Sequence, residues 1–236
     1  MLDTAPDQRR NGDMAIRIYI ADISTFDQAF NSVGQRVGPR SGSDKRTQDD
    51  KEWWVVRRFL KAALLANVFT TPLAVWKEQP PLPDFGVEFG SAPSPAFIEI
   101  TEATHPDDQR EMTKFERSDK SVMLIGELGG RFSDGASEPG HVWASDIVDA
   151  MERKAGKSIY SMDAESRHLV IYPNSNASVL VGSEEHERNA FSILTQLIDT
   201  RRTDYVGIAN RCTISVLGKH FVCFDLLGSG RLFARM

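Results

Sequence analysis

Asp84 and Glu99, with fourteen residues between them, lie in the stretch PDFGVEFGSAPSPAFIEITEAT (residues 83–104). In a strand, alternate side chains share a face, so in AFIEIT Ile98 and Ile100 can enter a core while Glu99 and Thr101 point together the other way. If DFGVEF pairs beside AFIEIT, Asp84 at the mouth of its strand meets Glu99, and two hard oxygen donors converge. Such a pair suits Mg²⁺ (or Mn²⁺), which takes one or two carboxylates, keeps several waters and leaves positions for a substrate phosphate. An ion held this way can polarise a phosphodiester and supply hydroxide near neutral pH. The same two residues are equally compatible with a turn cap after Pro83 and a solvated acid on an exposed strand face.

The positioning elements follow from periodicity and turn chemistry. DFGVEF and AFIEIT are strand-like, and the Gly, Ser and Pro content of GSAPSP between them marks an antiparallel hairpin. Upstream, Asp49 or Asp50 caps a helix from Lys51 to about Ala66, in which Trp53, Val56, Leu60, Ala63 and Leu64 share one face and Arg57, Arg58 and Lys61 lie elsewhere. The connecting LAVWKEQPPLP carries prolines that argue against helix and central strand alike. Thr104 or His105 caps a helix running to about Arg117, a further helix covers roughly Val142 to Lys157, and His168 to Tyr172 form a buried type of strand. Ser183 caps the helix SEEHERNAFSILTQLI. Cys212 to Leu227 fold as two strands turning at Gly218 and Lys219, and Met14 to Ser24 open with a strand carrying Ile16, Ile18 and Ile20.

The order helix, Pro83-Asp84, strand, Ile98-Glu99-Ile100, helix, strand resembles the PD-(D/E)XK nuclease superfamily over about Lys51 to Tyr172. That resemblance implies an α/β fold, a restriction-endonuclease-like mixed central sheet flanked by helices. Residues 1–47 would then be an N-terminal strand and a mobile loop, and residues 48–236 a single α/β nuclease-like domain. It also implies Mg²⁺-dependent hydrolysis of nucleic-acid phosphodiesters, DNA ahead of RNA, with Asp84 and Glu99 as the metal ligands. Thr101 stands where the superfamily motif has a lysine, and it cannot supply that cation. In this reading Thr101 orients a water, and the missing charge comes from Lys154. That residue shares the helical stripe of Trp143, Ile147, Ala150 and Met151 and either snorkels to water or reaches the site, with Lys157 behind it. Glu52 matches a further acid that superfamily members often keep on their first helix, although an acid in a first turn is favoured by the dipole alone. The alternatives are a nuclease fold retained only for binding, which Thr101 favours, and a small-molecule hydrolase using the same pair.

Composition sets wider bounds. The net charge of -5 over 236 residues means that any nucleic acid must find a local basic patch. Arg57, Arg58 and Lys61 could form one, or be a solvated helix face. Two cysteines, Cys212 and Cys223, fit a reducing compartment, and no apolar run is long enough to span a bilayer, so a cytoplasmic protein without a membrane partner is expected. Glu102 should face away from the site into solvent. The histidines have no metal-ligand spacing, and neither a phosphate-binding loop nor a dinucleotide fingerprint is present.

Overall fold

The protein was analysed as a computed structural model, which describes residues 16–31, 33, 47–80, 82–90, 95–107, 110, 139–155, 166–173, 184–200, 212–217, 220–225 and 231–235. The expected loop before Thr47, Ser183, Lys157 and most of the helix expected after Thr104 fall outside these residues. The fold is α/β. Eight described strands form one mixed sheet in sequence order: β1 (Arg17–Ile20), β2 (Leu73–Lys77), β3 (Phe85–Phe89), β4 (Ala96–Ala103), β5 (Ser166–Pro173), β6 (Cys212–Leu217), β7 (His220–Asp225) and β8 (Arg231–Arg235). The hairpin of β3 and β4 is antiparallel, as expected, and so are the pairs β1–β2, β2–β3, β6–β7 and β7–β8. β4 and β5 are parallel, and so are β5 and β6. Each parallel step needs a crossover. Helices α3 (Pro139–Ala155) and α4 (Glu184–Thr200) lie in those two connections, after the short α1 (Phe26–Ala29) and the long α2 (Gln48–Leu65).

Strand alternation divides the core in two. Ile98, Ile100 and Val170 pack under Val56, Phe59 and Leu60 of α2 on one face. On the other, Leu169, Ile171 and Ala103 pack under Ile147 and Met151 of α3 and Leu194 of α4. The stripe read on α2 is the buried one, from Trp53 to Leu64. Its start lies one turn earlier than expected. Thr47, not Asp49 or Asp50, is the cap, accepting from Asp50 N–H at 3.1 Å while the Asp50 carboxylate accepts from Thr47 N–H at 3.0 Å, so Asp50 completes a capping box. The helix ends where Asn67 takes the left-handed backbone (φ 56°), a conformation asparagine tolerates.

Three other expectations need correction. Leu73–Lys77 is a strand with neighbours on both sides, because Pro80, Pro81 and Pro83 all follow it and cost its ladder nothing. β1 pairs with β2 and buries Ile18 and Ile20 in the main core, but Ile16 lies outside the strand and is half exposed. The carboxyl-terminal region adds β8 beyond the two strands expected. Among the described residues no helix is long and apolar enough to cross a membrane.

β2 and β3 approach closely because Gly86 lies opposite Trp76, whose ring occupies the space a side chain would need. A Cβ at Gly86 would stand 2.4 Å from Trp76 Cζ2. Gly86→Ala is therefore expected to cost about 1–3 kcal/mol in urea unfolding. Trp76→Leu in the same chain should return part of that loss, whereas strictly additive losses would mean that Gly86 matters for some other reason.

Candidate functional site

β3 pairs with β4 only as far as Phe85 opposite Ile98. One step further along the same register, Asp84 lies across from Glu99. Here β3 has ended and β4 continues to Ala103, so the Ile100 N–H on that side needs another acceptor. Asp84 supplies it: Ile100 N–H donates to Asp84 Oδ2 at 2.7 Å. The carboxylate is thus part of the sheet's hydrogen-bonding as well as a polar group at its end; it caps no turn after Pro83, and Glu99 is buried rather than a solvated acid on an exposed strand face.

Charges reach this corner from both faces of the sheet. Phe85 and Ile98 face α2, so alternation turns Glu99 toward α3. There the Lys154 ammonium, from the last turn of α3, donates to Glu99 Oε1 in a largely buried ion pair. The lysine read from its helical stripe does reach the strand acid. On the α2 face, Glu52 is buried, accepts from Gln48 Nε2 at 2.8 Å, and pairs with the Lys77 ammonium of β2 at 2.7 Å. Lys77 also pairs with Asp49. Thr101 is half-buried on the same strand face as Glu99.

The consequence falls on Asp84. Burial, then the negative charge of Glu99, push its carboxyl up to about 7; Glu52 adds to the rise, and the Ile100 N–H and Lys154 oppose it. Near neutral pH this acid lies at the midpoint between its two charge states, a behaviour that clusters at functional sites. Among the described residues no group of three or more His, Cys, Asp or Glu side chains is arranged to hold a metal ion. Among the described residues a metal here would be held by two carboxylates, Asp84 and Glu99, with water. Mg²⁺ accepts that coordination, and a half-buried carboxyl resisting ionisation beside a second acid is the donor chemistry a divalent cation relieves.

Other candidates sort themselves. Glu102 does face away from Glu99, but it is not solvated: it accepts from Tyr172 OH at 2.8 Å and Thr104 Oγ1 at 2.9 Å, with Lys51 at 3.8 Å. Arg57 and Lys61 are spent on Asp27, at 3.0 and 2.7 Å, and Arg58 lies over the Trp54 ring at 4.8 Å. His168 is packed among the rings of Phe59 and Phe69. The residue that sequence reasoning missed is Lys77. Its signal was present, a lysine at the end of an apolar run facing the helix that carries Asp49 and Glu52, but it required β2 to be recognised as a strand. In comparisons with protein-family models, curated proteins and solved structures, nothing matches this chain.

The raised Asp84 carboxyl makes stability depend on pH with a definite sign. Below its ordinary value of 3.8 the proton is bound in both states; between 3.8 and about 7 the unfolded chain releases it while the folded chain keeps it, so stability falls as pH rises. Asp84→Asn keeps an oxygen for Ile100 N–H and removes the ionisation. Without divalent ions, the variant should equal wild type near pH 4 and exceed it by about 1–3 kcal/mol at pH 8 in denaturant melts. Parallel curves across that window would show that Asp84 titrates normally.

Proposed function

We propose that the chain is a divalent-metal-dependent phosphodiesterase acting on nucleic acid, built on a restriction-endonuclease-like core. The observation that carries this reading is the Lys154–Glu99 pair opposite Asp84. The strand has Thr101 where the superfamily motif has lysine, and a lysine from α3 arrives at the neighbouring acid instead. The element order α2, β2, β3, β4, α3, β5 supports this reading, since an αβββαβ order is what the superfamily's core would require and β2 is the strand missing from the order read in the sequence. A shared fold would not by itself imply the activity, so weight rests on the site residues.

Asp84 and Glu99 would hold the cation, which when bound contributes Lewis acidity toward a phosphodiester and a more acidic water. The chain's own groups then divide the remaining work. Lys154 places a fixed positive charge beside Glu99, where negative charge develops on the phosphoryl oxygens, and a largely buried ammonium acts there with little screening. Thr101, on the same strand face, offers a hydroxyl to orient the attacking water. Asp84 must give up its proton to act as a ligand, so at metal concentrations short of saturation turnover should fall below neutral pH.

A second reading, a nuclease fold kept for binding without catalysis, is favoured by Thr101 and by the spending of Arg57 and Lys61 on Asp27. Labelled single- and double-stranded DNA and RNA, incubated with Mg²⁺ or Mn²⁺, separate the two. Cleavage is expected with metal and lost with EDTA, and Asp84→Ala or Glu99→Ala should reduce it by about a hundredfold or more. Lys154→Ala should lower kcat about tenfold or more with a much smaller change in metal affinity, and Thr101→Lys should rescue it in part. Cleavage that survives EDTA or both carboxylate substitutions removes the metal mechanism. Cleavage gained only with Thr101→Lys makes the natural chain a binding module.

A further inference from the structure

Glu52 was the sequence's candidate for a third acid on the metal, yet both of its oxygens are engaged. Oε1 accepts from Gln48 and Oε2 faces Lys77 at 2.7 Å. Lys77 is itself held by a second acid, Asp49, and four-fifths of its side chain is buried. Its place in the register is opposite Phe85, the residue after Asp84, so the ammonium sits on the α2 side of the corner that Lys154 enters from the α3 side. Each inward-facing acid beside Asp84 therefore has its own lysine.

We propose that Lys77 is a built-in cation that fills the acidic corner of Asp49 and Glu52, so that the site recruits a single divalent ion at Asp84 and Glu99. Glu52 then acts on that ion through its charge and not as a ligand. The inference rests on the reading that Asp84 and Glu99 hold a metal. Burial opposes protonation of Lys77, but its hydrogen bonds with Asp49 and Glu52 outweigh this and raise its pKa above the usual lysine value. The ammonium is consequently a permanent charge across the working pH range. Removing it leaves the buried Glu52 and the largely exposed Asp49 without the cation they share, a pair of oxygen donors that a second divalent ion can take up.

Mn²⁺ binding to the full chain, followed by the electron spin resonance of the free ion and by calorimetry at pH 7.5, tests this without reference to turnover. Wild type is expected to bind one ion, Lys77→Met two, and Lys77→Met with Glu52→Gln one again. If Lys77→Met is unfolded without metal, Mn²⁺ should restore its circular dichroism, and Lys77→Gln, which keeps a polar group but not the charge, is the second variant, in which the second ion should also appear. Two ions on wild type, or one ion on both folded Lys77 variants, would overturn the proposal, as would a Lys77→Met chain that stays unfolded in Mn²⁺. No Mn²⁺ on wild type is a distinct result: it means that the Asp84–Glu99 reading has failed, and the role of Lys77 falls with it.

Discussion

The Asp84 carboxylate stands where β3 ends and β4 does not. The sheet needs an acceptor there for the Ile100 N–H, and the residue that supplies it is a half-buried acid across from a buried one. A neutral acceptor would satisfy the backbone equally well. An acid there is instead pushed up to about 7, first by its burial and then by the negative charge of Glu99, which leaves the corner short of positive charge. Lys154 answers that shortage from one side, while Lys77 answers the neighbouring acids Glu52 and Asp49 on the other.

Positive charge comes from α3 on one face of the sheet and from β2 on the other, and each lysine is aimed by apolar packing. Lys154 continues the stripe of Ile147 and Met151, both fully buried, so the packing of α3 on β4 and β5 sets its direction. Lys77 ends a strand whose register is fixed by pairs on both sides and by the contact of Trp76 with Gly86. These ion pairs are poor candidates for the source of stability. A buried pair gains little or nothing over apolar residues of the same size, and exposed pairs such as Arg17–Glu88 contribute about 0–1 kcal/mol. Stability lies in the two apolar layers. The charged residues are better understood as a preorganised electrostatic arrangement, which agrees with catalysis or with cation-dependent binding.

Much of this was legible from local patterns. The period-two alternation of Ile98 and Ile100 with Glu99 and Thr101 placed one acid, the hairpin placed the other, and the helical stripe of α3 pointed to Lys154. Long-range pairing was less legible. β2 was obscured by prolines that lie just beyond it, and with β2 unrecognised neither the depth of Glu52 nor the role of Lys77 could be inferred. Glu102 was assigned correctly to the far face but wrongly to solvent, because its partners Tyr172 and Lys51 come from β5 and α2. Asp49 or Asp50 was the expected cap and Thr47 went unread, because all three residue types cap well and the reciprocal bond between Thr47 and Asp50 exists only in three dimensions.

The central claim is that the Asp84–Glu99 corner lacks positive charge and that a divalent cation supplies it. Carboxyl ¹³C chemical shifts of Asp84, followed against pH with and without Mg²⁺, address it directly. Without metal, Asp84 should titrate near 7, and saturating Mg²⁺ should bring its midpoint down by roughly two units or more. A midpoint near 3.8 in the absence of metal, or one near 7 that Mg²⁺ leaves unmoved, would contradict the account.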